Sequence, residues 1–194
     1  MKNIKALCAN TVRTFVCVEI PDKQRETVSK WIGECRRAES SIRWVHPSTI
    51  HVTLKFCGEH PADTVKILAD ELSKIKKYTP FTISAGGVGG FPNLEKPSVI
   101  WTSVLGELDS LKKLQKDTER AANIAGIPKE QRAYTPHLTL ARNPSRSKLP
   151  DRLTEIMTNH ELKLEPWIVS QIVLMKSELL PGGPRYTPLA LFKI

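Results

Sequence analysis

The chain is poor in aromatic side chains, which make up 6% of its 194 residues. A long platform for stacking single-stranded nucleic acid is thereby disfavoured. No stretch approaches the ~18 consecutive apolar residues of a membrane helix; Phe15-Val16-Cys17-Val18 is the longest clean run near the start. Lys5 to Asn10 lacks the apolar core of ~7–15 residues that a secretory signal needs, and Arg13 follows soon after. A soluble protein of the cytoplasm, with no membrane partner, is expected. Cysteine is scarce as well. Cys8, Cys17, Cys35 and Cys57 match no zinc spacing and form no C-x-x-C pair, so they are read as free thiols, Cys17 as a core residue. There is no low-complexity segment and no Pro/Ser-rich linker, which excludes loosely tethered modules.

What the chain has in quantity is basic charge and ordinary core material. Lys and Arg number 29 against 20 Asp and Glu, a net charge of +9 with a pI near 9.5. Such a balance favours encounter with a polyanion, although a merely soluble basic protein has it too. With 40% hydrophobic residues, a chain of this length buries roughly 70% of its unfolded surface and needs neither disulfides nor a structural metal.

Hydrophobic periodicity predicts a strand over 14–20 and a helix from Asp22 to about Arg37, then extended segments over 43–45 and 50–56, the second closed by Gly58. A helix over 63–77, a strand over 81–84, a glycine-rich turn and a strand over 98–105 follow. The second half repeats this grammar: a helix over 109–125, a strand over 137–141, a helix over 149–157, and strands over 167–176 and 186–192. Leu180-Pro181-Gly182-Gly183-Pro184 makes the last two strands a hairpin, which favours antiparallel pairing over a doubly wound sheet. The run Gly86-Gly87-Val88-Gly89-Gly90 lacks the Gly-Lys-Ser/Thr ending of a phosphate loop and reads as a bulge and turn.

Two segments match each other. Ile50-His51-Val52-Thr53-Leu54 and Pro136-His137-Leu138-Thr139-Leu140 both read His-apolar-Thr-apolar, with their histidines 86 residues apart. With five histidines and fifteen threonines in the chain, two such matches arise by chance on the order of once in a thousand. On a strand, each His and its Thr share one face while the apolar neighbours enter the core. If the two strands lie side by side, two imidazoles and two hydroxyls converge. One neutral imidazole can take a proton from an attacking oxygen, the other, protonated, can supply a leaving oxygen, and the hydroxyls can hold charge on a phosphoryl group. That chemistry needs no metal or other cofactor. A metal site built from His46, His51 and His60 is the competing reading, but their spacing puts them on different faces and no carboxylate stands in ligand spacing.

With the flanks Trp44-Val45-His46-Pro47 and Leu54-Lys55-Phe56-Cys57-Gly58-Glu59, these motifs resemble the 2H phosphoesterase superfamily. Within it, Arg132 to Arg142, Gly89-Gly90-Phe91-Pro92, Val99-Ile100-Trp101 and Lys176-Ser177-Glu178-Leu179 resemble the RNA 2′,3′-cyclic phosphodiesterases, also called 2′-5′ RNA ligases. The resemblance runs from about Arg13 to Phe192. It implies an α+β fold of two lobes, with two antiparallel sheets flanked by helices and a cleft holding one His-x-Thr pair from each. Residues 1–12 are expected to be a frayed extension, and 13–194 a single domain that acts as a monomer.

The implied activity is hydrolysis of an RNA 2′,3′-cyclic phosphate, such as the end of a tRNA half, to a 2′-phosphate, with 2′-5′ joining in the same site. His51, Thr53, His137 and Thr139 are the implied catalytic groups, His137 as base and His51 as acid. Phe56 and Arg142 stand where the family tends to place groups that hold the base and the phosphate, although strict alternation turns both away from the histidines. Lys55 alternates onto the His51 face and is a candidate for attracting phosphate, against the plain reading of a solvated lysine. A non-catalytic RNA-end-binding module and a phosphodiesterase for small cyclic nucleotides are the alternatives.

Overall fold

In a computed structural model, which describes residues 11–75 and 78–194, alternating side chains build an antiparallel sheet with helices on one face. The order along the chain is β1 (Thr11–Glu19), α1 (Asp22–Ala38), β2 (Arg43–Trp44), β3 (His51–Pro61), α2 (Ala62–Leu72), β4 (Phe81–Phe91), β5 (Val99–Gly106), α3 (Leu108–Ile124), β6 (His137–Arg142), α4 (Asp151–Asn159), β7 (Lys163–Val169), β8 (Gln171–Leu180) and β9 (Gly183–Lys193). A short 3-10 turn, Pro47–Thr49, leads into β3.

The strands lie in the order β7-β4-β5-β6-β3-β1-β8-β9, and β2 pairs with β6. Two separate sheets were expected; hydrogen bonding joins the halves into one. The seam is narrow, since β3 and β6 share the single register pair Val52↔Leu138. Each half has four strands in the main path, and the halves are interlocked. β4, which follows α2, pairs with β5 of the second half, while β8 pairs with β1 of the first. Helix α1 lies against α4 and β7, and α3 against α2 and β3. Each repeat thus needs the other to cover its own apolar face, and one core results.

That core explains the helices. Val28, Trp31, Ile32 and Cys35 form the buried stripe of α1, and Leu111, Leu114, Ala121 and Ala122 that of α3. The second apolar cluster, Phe15, Cys17, Val173 and Met175, lies on the other face of β1 and β8. Cys17 is fully buried and its thiol pKa is pushed far up, first by that burial, so it is an inert core residue as expected.

Several elements differ from their expected bounds. Thr11 and Val12 pair with Pro61 and His60, so β1 includes two residues assigned to the frayed extension; residues 1–10 lie outside the described residues. Gly58, at φ +82°, does not end β3 but forms an irregularity inside it. The glycine run lies within β4 as a bulge, with Gly87 at φ +71°. The expected strand over 167–176 is two strands broken at Ser170, β7 on one outer edge and β8 beside β1. Hydrophobicity runs through the break because both strands feed the same core. Helix α2 ends at Leu72, and the last two residues of its expected span lie outside the described residues.

Candidate active site

Antiparallel pairing at Val52↔Leu138 places His51 across from Thr139 and Thr53 across from His137. Val52 and Leu138 enter the core, so the four polar side chains stand together on the open face.

Both imidazoles are oriented in the same way. His51 Nδ1 donates to the Thr49 carbonyl at 2.7 Å, and His137 Nδ1 to the Thr135 carbonyl at 2.7 Å. A carbonyl only accepts, so each ring carries its proton on Nδ1 and leaves Nε2 as the reacting nitrogen. The motif is therefore Thr-x-His-x-Thr in both copies, a longer match visible in the sequence, although it is the backbone carbonyl that makes the bond.

The two histidines differ in their surroundings. His51 is stacked on Phe15 with ring centroids 4.6 Å apart and meets the edge of Tyr186 at 5.5 Å. Burial there pushes its pKa down to about 4; the bond to Thr49 opposes this, and the Arg25 and His137 charges reinforce it. His137 meets Phe91 edge-on at 5.2 Å and Trp101 at 6.2 Å. Trp101 lies flat across β4 because position 89 is glycine; a Cβ there would come within 2.3 Å of the indole.

One irregularity decides which flanking residues reach the cleft. Val16 pairs with Lys55 but Cys17 with Thr53, so Leu54 is an extra residue and β3 changes phase after the motif. Ile100 pairs with Ala141 and Trp101 with Thr139, so Leu140 is the equivalent extra residue of β6. These bulges bring Phe56 and Arg142 into the lining of the cleft despite strict alternation. They send Lys55 the other way. Its ammonium donates to Glu119 at 2.6 Å and to the Pro128 carbonyl at 2.7 Å, under α3, and only 4% of the residue is exposed. The expectation that Lys55 faces the phosphate is corrected; a one-residue bulge reverses every later side chain.

The cleft is a groove of about 1200 Å³. Among the described residues, its lining holds His51, Thr53, Thr139, Phe56 and four arginines, Arg13, Arg36, Arg43 and Arg142, but neither His137 nor a carboxylate. Uncompensated positive charge of this kind concentrates anions. Tyr186 and Ser177 complete the wall beside Phe15, and the Arg142 and Arg13 charges both act on the Tyr186 hydroxyl, whose pKa burial raises. Arg13 and Tyr186 were not anticipated; they lie far from either motif in the chain, and only strand pairing brings them in. His46 lies on the rim, bonded to Ser48 Oγ at 2.7 Å, while His60 bonds to the Cys57 carbonyl at 2.9 Å. Among the described residues, no three His, Cys, Asp or Glu side chains stand close enough to share a metal ion.

The family described as LigT like Phosphoesterase matches residues 18–101 and 106–186, one His-x-Thr pair in each segment. An RNA 2′,3′-cyclic phosphodiesterase of Methanothermobacter thermautotrophicus is 30% identical over 94% of this chain and 99% of its own length. One of Archaeoglobus fulgidus is 30% identical over 94% of this chain and all of its own. Among solved structures, E. coli LigT complexed with 3′-AMP superposes with a TM-score of 0.77 at 24% identity, covering 95% of this chain and 99% of that one, which is a likeness of fold.

Proposed function

Because this chain belongs to the LigT-like phosphoesterase family, we propose that it hydrolyses the 2′,3′-cyclic phosphate at an RNA end to a 2′-phosphate without a metal. The observation that carries the reading is the matched quartet of two imidazoles with free Nε2 atoms and two hydroxyls: His51, Thr53 and Thr139 line an arginine-rich groove in which no carboxylate stands among the described residues, and His137 lies on β6 beside Leu138, the partner of Val52.

In this mechanism the cyclic phosphate lies between His51 and His137. One neutral Nε2 takes a proton from water as its oxygen bonds to phosphorus, the bond from phosphorus to O3′ breaks, and the other Nε2 gives its proton to O3′. Net addition of one water leaves a 2′-phosphate and a 3′-hydroxyl. Thr53 and Thr139 donate to the non-bridging oxygens as phosphorus becomes five-coordinate. The proposed base is His137 and the proposed acid His51. Burial holds His51 neutral in the free protein, so its proton arrives with the anionic substrate, whose charge favours the imidazolium. With a 5′-hydroxyl in place of water, the same displacement makes a 2′-5′ linkage.

Phe56, half exposed, supplies a face for the terminal base, and Arg142 a guanidinium for phosphate. RNA ends of the kind left on tRNA halves have this chemistry. All the groups invoked come from one chain, so a monomer suffices.

The test is incubation of a short RNA bearing a 2′,3′-cyclic phosphate, with and without EDTA, with the product identified by phosphorus NMR. A 2′-phosphate formed at the same rate in EDTA supports the reading. Saturable binding without turnover would make the chain an RNA-end-binding module, and activity lost to EDTA and restored by a divalent ion would overturn the metal-free mechanism.

A further inference from the structure

Among the described residues, Arg13 is the one groove arginine held on an aromatic ring. It stands on β1, beside β3, with its guanidinium carbon 4.6 Å from the centroid of the Phe56 ring. Its Nε is buried and finds no hydrogen-bond partner among the described residues. Glu59 stands across the ladder from it, yet Arg13 makes no ion pair with Glu59. An arginine desolvated on one side and unpaired is costly unless something absent from the free protein completes it.

The Phe15↔Phe56 register lies four ladder steps from Glu19↔His51, about 13 Å along the strand. Phe15 reaches back along this span to stack its ring on His51 at 4.6 Å, and Arg13 stands two residues further along β1, beyond the histidine that meets the reacting phosphate. The groove, at about 1200 Å³, is also roomier than the ~300–1000 Å³ usual for one small ligand.

We propose that Arg13 reads a second phosphate, the one on the 5′ side of the nucleotide whose cyclic phosphate reacts, and so makes the site prefer a polymer end to a mononucleoside. This deepens the phosphodiesterase reading and rests on it. The terminal base stacks on the open face of Phe56 and the cyclic phosphate meets the His and Thr quartet. The 5′ phosphate takes two parallel N–H bonds from Nε and one Nη of Arg13. Phe56 holds the guanidinium flat, so little freedom is lost on binding.

The experiment compares kcat/KM for cytidine 2′,3′-cyclic phosphate and for its 5′-phosphorylated form, in the wild type and in Arg13→Gln and Arg13→Lys. The wild type is expected to prefer the 5′-phosphorylated substrate. Arg13→Gln should shrink that preference about tenfold or more, and Arg13→Lys, a point charge without the fork, should shrink it less. Equal losses on both substrates, a preference kept by Arg13→Gln, or a wild type that does not distinguish the two would each overturn the proposal. If the wild type hydrolyses neither, the phosphodiesterase reading fails. Arg13 is then decided by titrating the same proteins with cytidine 2′-phosphate and its 5′-phosphorylated form, where the same ratio in Kd is expected and an unchanged ratio refutes it.

Discussion

Replacing Lys55 with methionine should cost stability and leave substrate affinity nearly as it was. The ammonium bonds to Glu119 at 2.6 Å and to the Pro128 carbonyl at 2.7 Å, and Glu119 Oε1 also accepts the Glu130 N–H at 2.9 Å. Methionine keeps the aliphatic stem but strands a carboxylate whose side chain is only 15% exposed. Breaking a buried pair from one side costs about 3–5 kcal/mol. The Glu130 N–H still solvates the carboxylate, which places the loss near the lower end, about 3 kcal/mol. In a chain of this size each kcal/mol lowers Tm by about 2–4 °C, so a drop of roughly 6–12 °C is expected. In urea the midpoint should fall with the slope unchanged. Adding Glu119→Met should restore part of the loss, because an apolar pair replaces an orphaned charge. A variant of full stability whose KM for a cyclic-phosphate substrate rose about tenfold would refute the reasoning and place the ammonium on the phosphate.

Other outcomes follow from the same geometry. His51 has a folded pKa of about 4 against ~6.5 unfolded, so its neutral form is favoured by folding. Its contribution is complete above pH 6.5 and is lost as pH falls to about 4, by about 3 kcal/mol at most; denaturation midpoints of the wild type and His51→Gln should therefore converge or cross on acidification, and parallel curves would contradict this. Thr53→Ala or Thr139→Ala should lower kcat about 100-fold or more with a smaller change in KM, and a change in KM alone would make the hydroxyls ground-state binders. Gly89→Ala should displace Trp101, lowering both Tm and kcat, since the added carbon falls within 2.3 Å of the indole; retained activity at wild-type stability would argue against the close approach. With a substrate whose 3′-side leaving group needs little protonation, His51→Ala should regain much of its rate and His137→Ala should not; rescue of His137→Ala would reverse the proposed roles.

The amino-acid sequence alone determined the repeated His-x-Thr unit, the faces of its residues, the free buried Cys17, the C-terminal hairpin and the positions of α1 and α3. All of these depend on spacing within a few residues or a few turns, where side-chain period is a direct consequence of backbone geometry. The tertiary structure decided the rest. Whether Lys55 or Phe56 faces the cleft depends on the extra residue at Leu54, and that residue is extra only relative to β1. The 167–176 segment splits at Ser170 because β7 and β8 belong to opposite halves of the sheet, a partition that hydrophobicity cannot express. Arg13 and Tyr186 reach the groove through ladders with β3 and β8. The depressed pKa of His51 has the same origin: the two motifs are nearly identical in sequence, but the burial that acts on an imidazole is set by whatever distant strands place around it.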